Sequence, residues 1–130
     1  MISVVVICHN YGRFLEKCVS SIIKADNKFL KEIIIVDDSS TDNTKIIAKN
    51  LKKKYKKISL YKKKFKSLSK STNYAISKSS GSWIVKVDAD DYVSKNFISD
   101  FVSKIKINNQ TDYICSDIIY FDNNKKIRFK

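Results

Sequence analysis

Ile33-Ile34-Ile35-Val36-Asp37-Asp38-Ser39-Ser40-Thr41-Asp42-Asn43-Thr44 changes character halfway along. Its first part is an unbroken apolar run, the pattern of a strand buried on both faces. The run stops at two aspartates, and Ser39 to Asp42 form a cluster of helix N-cap residues. Beyond it Ile46, Ile47, Leu51 and Tyr55 fall on one face of a helix and lysines on the other. The segment therefore reads as strand, acidic turn, helix.

The same order recurs on either side. Residues 2–8 form a second buried-strand run, followed by a helix over 13–25 with Phe14, Leu15, Cys18, Val19, Ile22 and Ile23 at helical spacing. Downstream come a short strand over Ile58 to Tyr61 and a weaker helix over 68–79 carrying Leu68, Ala75 and Ile76. Gly81 then precedes a strand over Trp83 to Val87, which ends in Asp88-Ala89-Asp90-Asp91. A helix over 94–107 and a strand over 112–121 complete the pattern. This alternation predicts an α/β fold, a mostly parallel sheet with helices on both faces, as one domain over residues 1–130. Right-handed crossovers would bring the C-terminal ends of the strands to one rim.

Composition narrows the function classes. The chain has 130 residues, 43% of them hydrophobic and 30% charged, which suits a globular domain with one core. No apolar run reaches the roughly 18–20 residues of a membrane span. Met1 leads directly into a strand-like run, so no signal peptide is expected and a cytoplasmic location is. Cys8, Cys18 and Cys115 are odd in number and widely spaced beside a single histidine, a pattern of reduced thiols rather than disulfides or zinc. Cys18 and Cys115 read as small core residues. The net charge of +13 is concentrated: Asn43 to Val87 contains 14 lysines and no acid, with arginine elsewhere only at Arg13 and Arg128.

Two acidic clusters fall at the expected rim, Asp37-Asp38 and Asp88 with Asp90 and Asp91. Open α/β sheets bind ligands outside the carboxyl ends of their strands. A half-desolvated carboxylate there is costly unless a cation or donor pairs with it. The Asp-x-Asp spacing lets Asp88 and Asp90 turn toward one hard cation, Mg²⁺ or Mn²⁺, which keeps open positions for phosphate oxygens. Asp42 reads as a capping residue, and Asp38 fits capping and ligand binding equally. There is no GxGxxG and no GxxxxGK[ST], which excludes the dinucleotide fingerprint and the P-loop. A receiver-like signalling domain would want its acidic pair after the first strand, where this chain has Cys8-His9-Asn10.

Four segments together resemble the glycosyltransferase family 2 enzymes of the GT-A fold. They are Ser3 to Leu15, the Val36-Asp37-Asp38-Ser39-Ser40-Thr41-Asp42-Asn43-Thr44 run, Ser69 to Ile76, and Gly81 to Asp91 with its Asp88-Ala89-Asp90-Asp91 ending. The resemblance implies transfer of a sugar from a nucleotide-diphosphate sugar, most simply a UDP-sugar, to a glycan or lipid-linked acceptor in bacterial-type surface polysaccharide synthesis. It implies an inverting, metal-dependent reaction. Carried over by position, Cys8, His9 and Asn10 would wall the base pocket and Asp37 would read the uracil or ribose. Asp38, Ala89 and Asn73 would complete the nucleotide-sugar site. Asp88 would face the ribose and share with Asp90 the divalent ion.

The sequence departs from the family pattern at Ile7, where proline is usual, and at His9, where tyrosine is usual. Lys66-Ser67 replaces Asn-Gly, and Thr72 stands where arginine is frequent, with Lys70 as its substitute toward the phosphates. Nothing in residues 92–130 resembles the family's general base, so the chain reads as a truncated GT-A fold, the donor-binding half without the acceptor half. Exposed apolar surface near 112–129 and self-association are expected to follow. A competing reading is a non-catalytic basic module on an α/β scaffold. Its lysines would meet an anionic membrane, at the inner face of the cell membrane, or, less favoured for want of arginine and exposed aromatics, nucleic acid. A solvated helix face accounts for the same lysines with no partner at all.

Overall fold

The computed structural model describes residues 1–25, 28–107, 110, 112–116, 119–122 and 125–127. Strands β1 (Ile2–Cys8), β2 (Leu30–Asp38), β3 (Ile58–Lys63) and β4 (Trp83–Asp88) alternate with helices α1 (Gly12–Lys24), α2 (Thr44–Lys54), α3 (Leu68–Lys78) and α4 (Phe97–Ile107). The sheet order is β3-β2-β1-β4, with every pairing parallel. This is the α/β arrangement expected from the sequence.

The central strands are the most continuously apolar, because both of their faces are covered. Every residue of β1 is buried. Val4, Val6 and Cys8 point with Ile33 and Ile35 into a core closed by Leu15, Cys18, Val19 and Ile22 of α1, Ala48 and Leu51 of α2, and Ile98 of α4. Val5, Ile7, Ile34 and Val36 face the other way, onto Ala75 of α3 with Tyr61 and Tyr74. β3 and β4 are edges and alternate instead. Trp83, Val85 and Val87 turn inward on β4, whereas Ile84, Lys86 and Asp88 are exposed.

Gly12, the first residue of α1, sits against the loop that opens α2. A Cβ there would collide with the Asn43 side-chain oxygen and lie 2.8 Å from the Thr44 amide nitrogen. Gly12→Ala is therefore expected to lower stability by about 1–3 kcal/mol through overpacking, read as a shift of the urea midpoint at unchanged slope.

The expected strand over 112–121 is not what forms. Residues 112–116 are outside any strand, and residues 117 and 118 lie outside the described residues. A short antiparallel pair, β5 (Tyr120–Asp122) and β6 (Lys125–Ile127), forms instead. An isolated extended segment gains no ladder bonds, and among the described residues β4 pairs only with β1. Cys115 is correspondingly exposed rather than a core residue, whereas Cys18 is buried as expected and Cys8 is buried as well, all three being free thiols. Apolar side chains are left at the surface here, with Ile107 at 79% and Tyr113 at 80% of full exposure. Among the described residues no helix is long and apolar enough to cross a membrane.

Candidate functional site

Parallel pairing sets the rim. Cys8 of β1 lies beside Asp37 of β2, Asp37 beside Lys62 of β3, and Ile7 beside Asp88 of β4. The two acidic clusters therefore end strands on either side of β1, two strand spacings or about 10 Å apart. The loop after β1, His9 to Tyr11, lies between them.

That loop is tied to the loop after β2. The Asn10 side-chain oxygen accepts from the Thr41 amide at 2.7 Å, the Asp42 amide at 3.3 Å and the Thr41 hydroxyl at 3.3 Å. The Asn10 amide donates to the Ser40 hydroxyl at 3.0 Å. Asn10 and Ser39 adopt left-handed backbone, φ 60° and 64°, which aims these loop groups at one another. His9 Nδ1 lies 2.7 Å from the Asp38 carbonyl, an acceptor, so Nδ1 is the donor of this bond. Asp42 bridges the two helix starts, accepting from the Gly12 amide at 3.0 Å and the Thr44 amide at 2.9 Å. The N-cap positions are Tyr11 and Asn43, so Asp42 is not the N-cap its position suggested; it lies one residue before the α2 N-cap and accepts from the first amide of each helix.

The adjacent aspartates Asp37 and Asp38 are both buried but differ in partners. Asp38 points to the α3 side. It accepts from the amides of Phe65 at 2.8 Å, Lys66 at 3.0 Å and Ser67 at 3.1 Å, and from the hydroxyls of Ser71 at 2.8 Å and Ser39 at 3.1 Å. Burial alone would raise its carboxyl. The bonds from Lys66, Ser67, Ser71 and Ser39 outweigh that and bring it down to about 2. Its oxygens hold the β3–α3 loop, where Lys66 has a left-handed φ of 49°. Asp37, on the α2 side, accepts from the Ser40 amide at 3.3 Å. It thereby keeps acceptor capacity at the rim.

The other sequence-identified residues divide by exposure. The Cys8 side chain is in the core, where burial and then the charges of Cys18, Asp37 and Asp42 push its thiol well up. Only its backbone faces the rim loop. Ala89 is likewise buried. Lys70 and Asn73 are exposed on α3, and no side-chain hydrogen bond joins either to the loop network among the described residues.

Asp88, Asp90 and Asp91 are exposed in the turn after β4, closed by the Asp91 amide on the Asp88 carbonyl at 3.0 Å. Lys86 pairs with Asp88. Partial burial, then the charges of Asp90 and Asp88, raise the Asp91 carboxyl, with Lys86 opposing. This is an excess of negative charge from hard oxygen donors. Among the described residues no group of three His, Cys, Asp or Glu side chains could enclose an ion. An ion at this turn would have to draw most of its shell from other donors, such as phosphate oxygens and water. Beneath the turn, burial and then the charges of Asp91, Asp90 and Asp88 raise the Cys18 thiol to about 12, and its Sγ lies 3.5 Å from the Asp88 carbonyl.

Sequence reasoning missed the partners of these acids. Ser71 lies 33 residues from Asp38, and nothing in its local spacing marks it. Nor does local spacing show that the Asn10 side-chain oxygen ties the two loops together.

The sequence profile of Glycosyl transferase family 2 matches residues 3–130. The chain is 34% identical over 107 residues to "Glycosyltransferase GlyG" of Streptococcus pneumoniae, covering 82% of this chain and 35% of that protein. The crystal structure of residues 1–349 of Staphylococcus aureus TarS in complex with UDP-GlcNAc superposes with a TM-score of 0.75 at 27% identity, over 83% of this chain and 32% of that one. A mannosyltransferase from Pyrobaculum calidifontis, in complex with GDP-Man and Mn²⁺, shares the fold with a TM-score of 0.73 at 21% identity, over 80% of this chain and 32% of that one. The chain spans about a third of the length of each of these relatives.

Proposed function

The chain belongs to glycosyl transferase family 2, and from that premise we propose that its acidic rim binds a nucleoside-diphosphate sugar, a UDP-sugar, as the donor site of a transferase that builds a cell-surface glycan. The observation that carries this reading is the pairing at one rim of a buried, under-used carboxylate, Asp37, with the exposed Asp88–Asp90 turn, separated by the His9–Tyr11 loop. Two kinds of support bear on it. TarS, similar over 83% of this chain, binds UDP-GlcNAc, and the mannosyltransferase of the same fold binds GDP-Man with Mn²⁺.

In this reading Asp37 accepts from the uracil or ribose, and His9 lines the base pocket with its ring held by the Asp38 carbonyl. Asp88 faces the ribose, and Asp88 and Asp90 would hold Mg²⁺ or Mn²⁺. That ion supplies neutralisation of the charge developing on the departing nucleoside diphosphate. Lys70 and Asn73, at the solvent face of α3, stand toward the phosphates. Asp38 acts one step back, as a positioning residue that sets the β3–α3 loop. An inverting transfer further requires a general base within hydrogen-bond reach of the acceptor hydroxyl.

Titration calorimetry with UDP in Mn²⁺, in Mg²⁺ and in EDTA tests the reading. Binding is expected with either ion and is expected to weaken at least about tenfold in EDTA, consistent with a loss of about 1.4 kcal/mol or more. Asp90→Ala should remove that difference between metal and EDTA. Equal affinity of the parent chain in all three solutions would refute the metal-dependent donor site.

A further inference from the structure

Helix α2 turns Thr44, Ile47, Ala48 and Leu51 toward the core. Its solvent side carries Lys45, Lys49 and Lys53, spaced four residues apart in one row, with Lys52 beside them. The edge strand β3 continues the same face with Lys62, and Lys64 follows just beyond its end. Lys62 comes close enough to Lys45 and Lys49 that slight desolvation and then their two charges lower its ammonium below its ordinary value. These side chains belong to a stretch of 14 lysines without an acid, so the stretch supplies no internal counter-charge.

Lysines on an edge strand guard it against pairing with other chains. That explains Lys62 and Lys64 but not the row on α2, which has no open ladder to protect. A solvated helix face leaves a second feature unexplained. Ile46, expected from the sequence on the apolar face with Ile47 and Leu51, is instead 61% exposed between Lys45 and Lys49, because the helix sets Thr44, Ala48 and Leu51 toward the core. Positive charge around a projecting aliphatic side chain is the chemistry of helices that lie on an anionic bilayer, where headgroups attract the lysines and the acyl boundary takes the apolar group.

Nucleic acid fits less well. Lysine is a point charge without the planar fork of arginine, and an exposed aromatic for base stacking is missing from the row. Tyr55, the aromatic at the end of the helix, packs against the core.

We propose that the α2–β3 face, with Lys45, Lys49, Lys52, Lys53, Lys62 and Lys64 around the exposed Ile46, is a docking surface for an anionic lipid bilayer. The surface meets the acidic rim at Lys62, which lies beside Asp37, and docking itself requires no nucleotide.

Co-sedimentation of the full chain with vesicles, without nucleotide or metal, tests this. Vesicles of about 30 mol % phosphatidylglycerol in phosphatidylcholine should bind the chain, and pure phosphatidylcholine should not. Raising salt from about 0.1 to about 0.5 M should release it at least tenfold, as screening shortens the reach of the lysines. The triple variant Lys45→Glu, Lys49→Glu, Lys53→Glu should lower partition by about 100-fold. Ile46→Ser should lower it about threefold or more with charge unchanged. A double variant of another surface, Lys95→Glu with Lys104→Glu, should lose much less per charge reversed than the triple variant.

Urea unfolding of each variant establishes that it is folded. If the glutamates prevent folding, the glutamines Lys45→Gln, Lys49→Gln and Lys53→Gln carry the same test with a smaller expected loss. Undiminished vesicle binding by a folded triple variant would overturn the proposal. So would equal binding to pure phosphatidylcholine, or tighter binding to a random DNA duplex than to the anionic vesicles at the same salt. None of these outcomes depends on UDP binding, so failure here is distinct from failure of the donor-site reading.

Discussion

Asp38→Asn is expected to destabilise the chain by about 3 kcal/mol, the range in which a buried charged network loses one member. The parent carboxylate takes bonds from three backbone amides and two hydroxyls. Asparagine offers one oxygen in place of two and turns an NH₂ group toward N–H or O–H donors, leaving some of them buried without partners. Urea unfolding measures the loss directly. The pH dependence gives an independent check. A carboxyl near 2 in the folded state and near its ordinary value when unfolded binds fewer protons folded than unfolded. Its stabilisation is fully present above about pH 4–5 and is lost as pH falls toward the folded value, about 2. The parent chain should therefore lose stability steeply between about pH 4 and pH 2, and Asp38→Asn should flatten that limb. A variant as stable as the parent, with the same acid limb, would show that the loop does not depend on this carboxylate.

The neighbouring substitution is expected to do the opposite. Asp37→Asn removes a buried charge whose protein partner is the Ser40 amide at 3.3 Å. Replacing such a charge by a neutral isostere is close to neutral for folding, or stabilising, because the desolvation cost goes with it. Binding should suffer instead. A carboxylate accepting from a uracil N–H or a ribose hydroxyl contributes about 1.5–3 kcal/mol as a charge-assisted bond. UDP affinity should fall by about ten- to a hundredfold with Mn²⁺ still required. Calorimetry and urea unfolding on the same preparation separate the two effects. A variant that unfolds early, or binds UDP as the parent does, would remove Asp37 from the proposed donor site.

These two residues also mark how far the sequence could be read. An apolar run ending in acids placed both carboxylates at a strand's C-terminal end, because burial on two faces forces continuous hydrophobicity and the first charge must fall where the sheet stops. The same logic located β1, the end of β4 and the helix between each pair of strands. Asp42 was legible as an acceptor for the start of α2, a local bond to the Thr44 amide two residues on. Its bond to the Gly12 amide, 30 residues away, was not. The family resemblance rests on the same local strings, and the family profile spans them.

Tertiary structure decided what local pattern does not encode. Successive strand residues point to opposite faces, so Asp37 and Asp38 part company, one toward α2 and the other into a loop 27 to 33 residues away. The clustering of Lys45 and Lys49 with Lys62 arises because β3 returns beside β2 under α2. The segment 112–116 shows the converse: its strand-like composition produced no strand, since a strand is stabilised by a neighbour's ladder and sequence pattern cannot supply the neighbour. Hydrophobic periodicity and capping, which act within a few residues, were set by the chain itself. Which buried acid is satisfied and which stays available was set by contacts between segments far apart in sequence, and those exist only once the sheet has assembled.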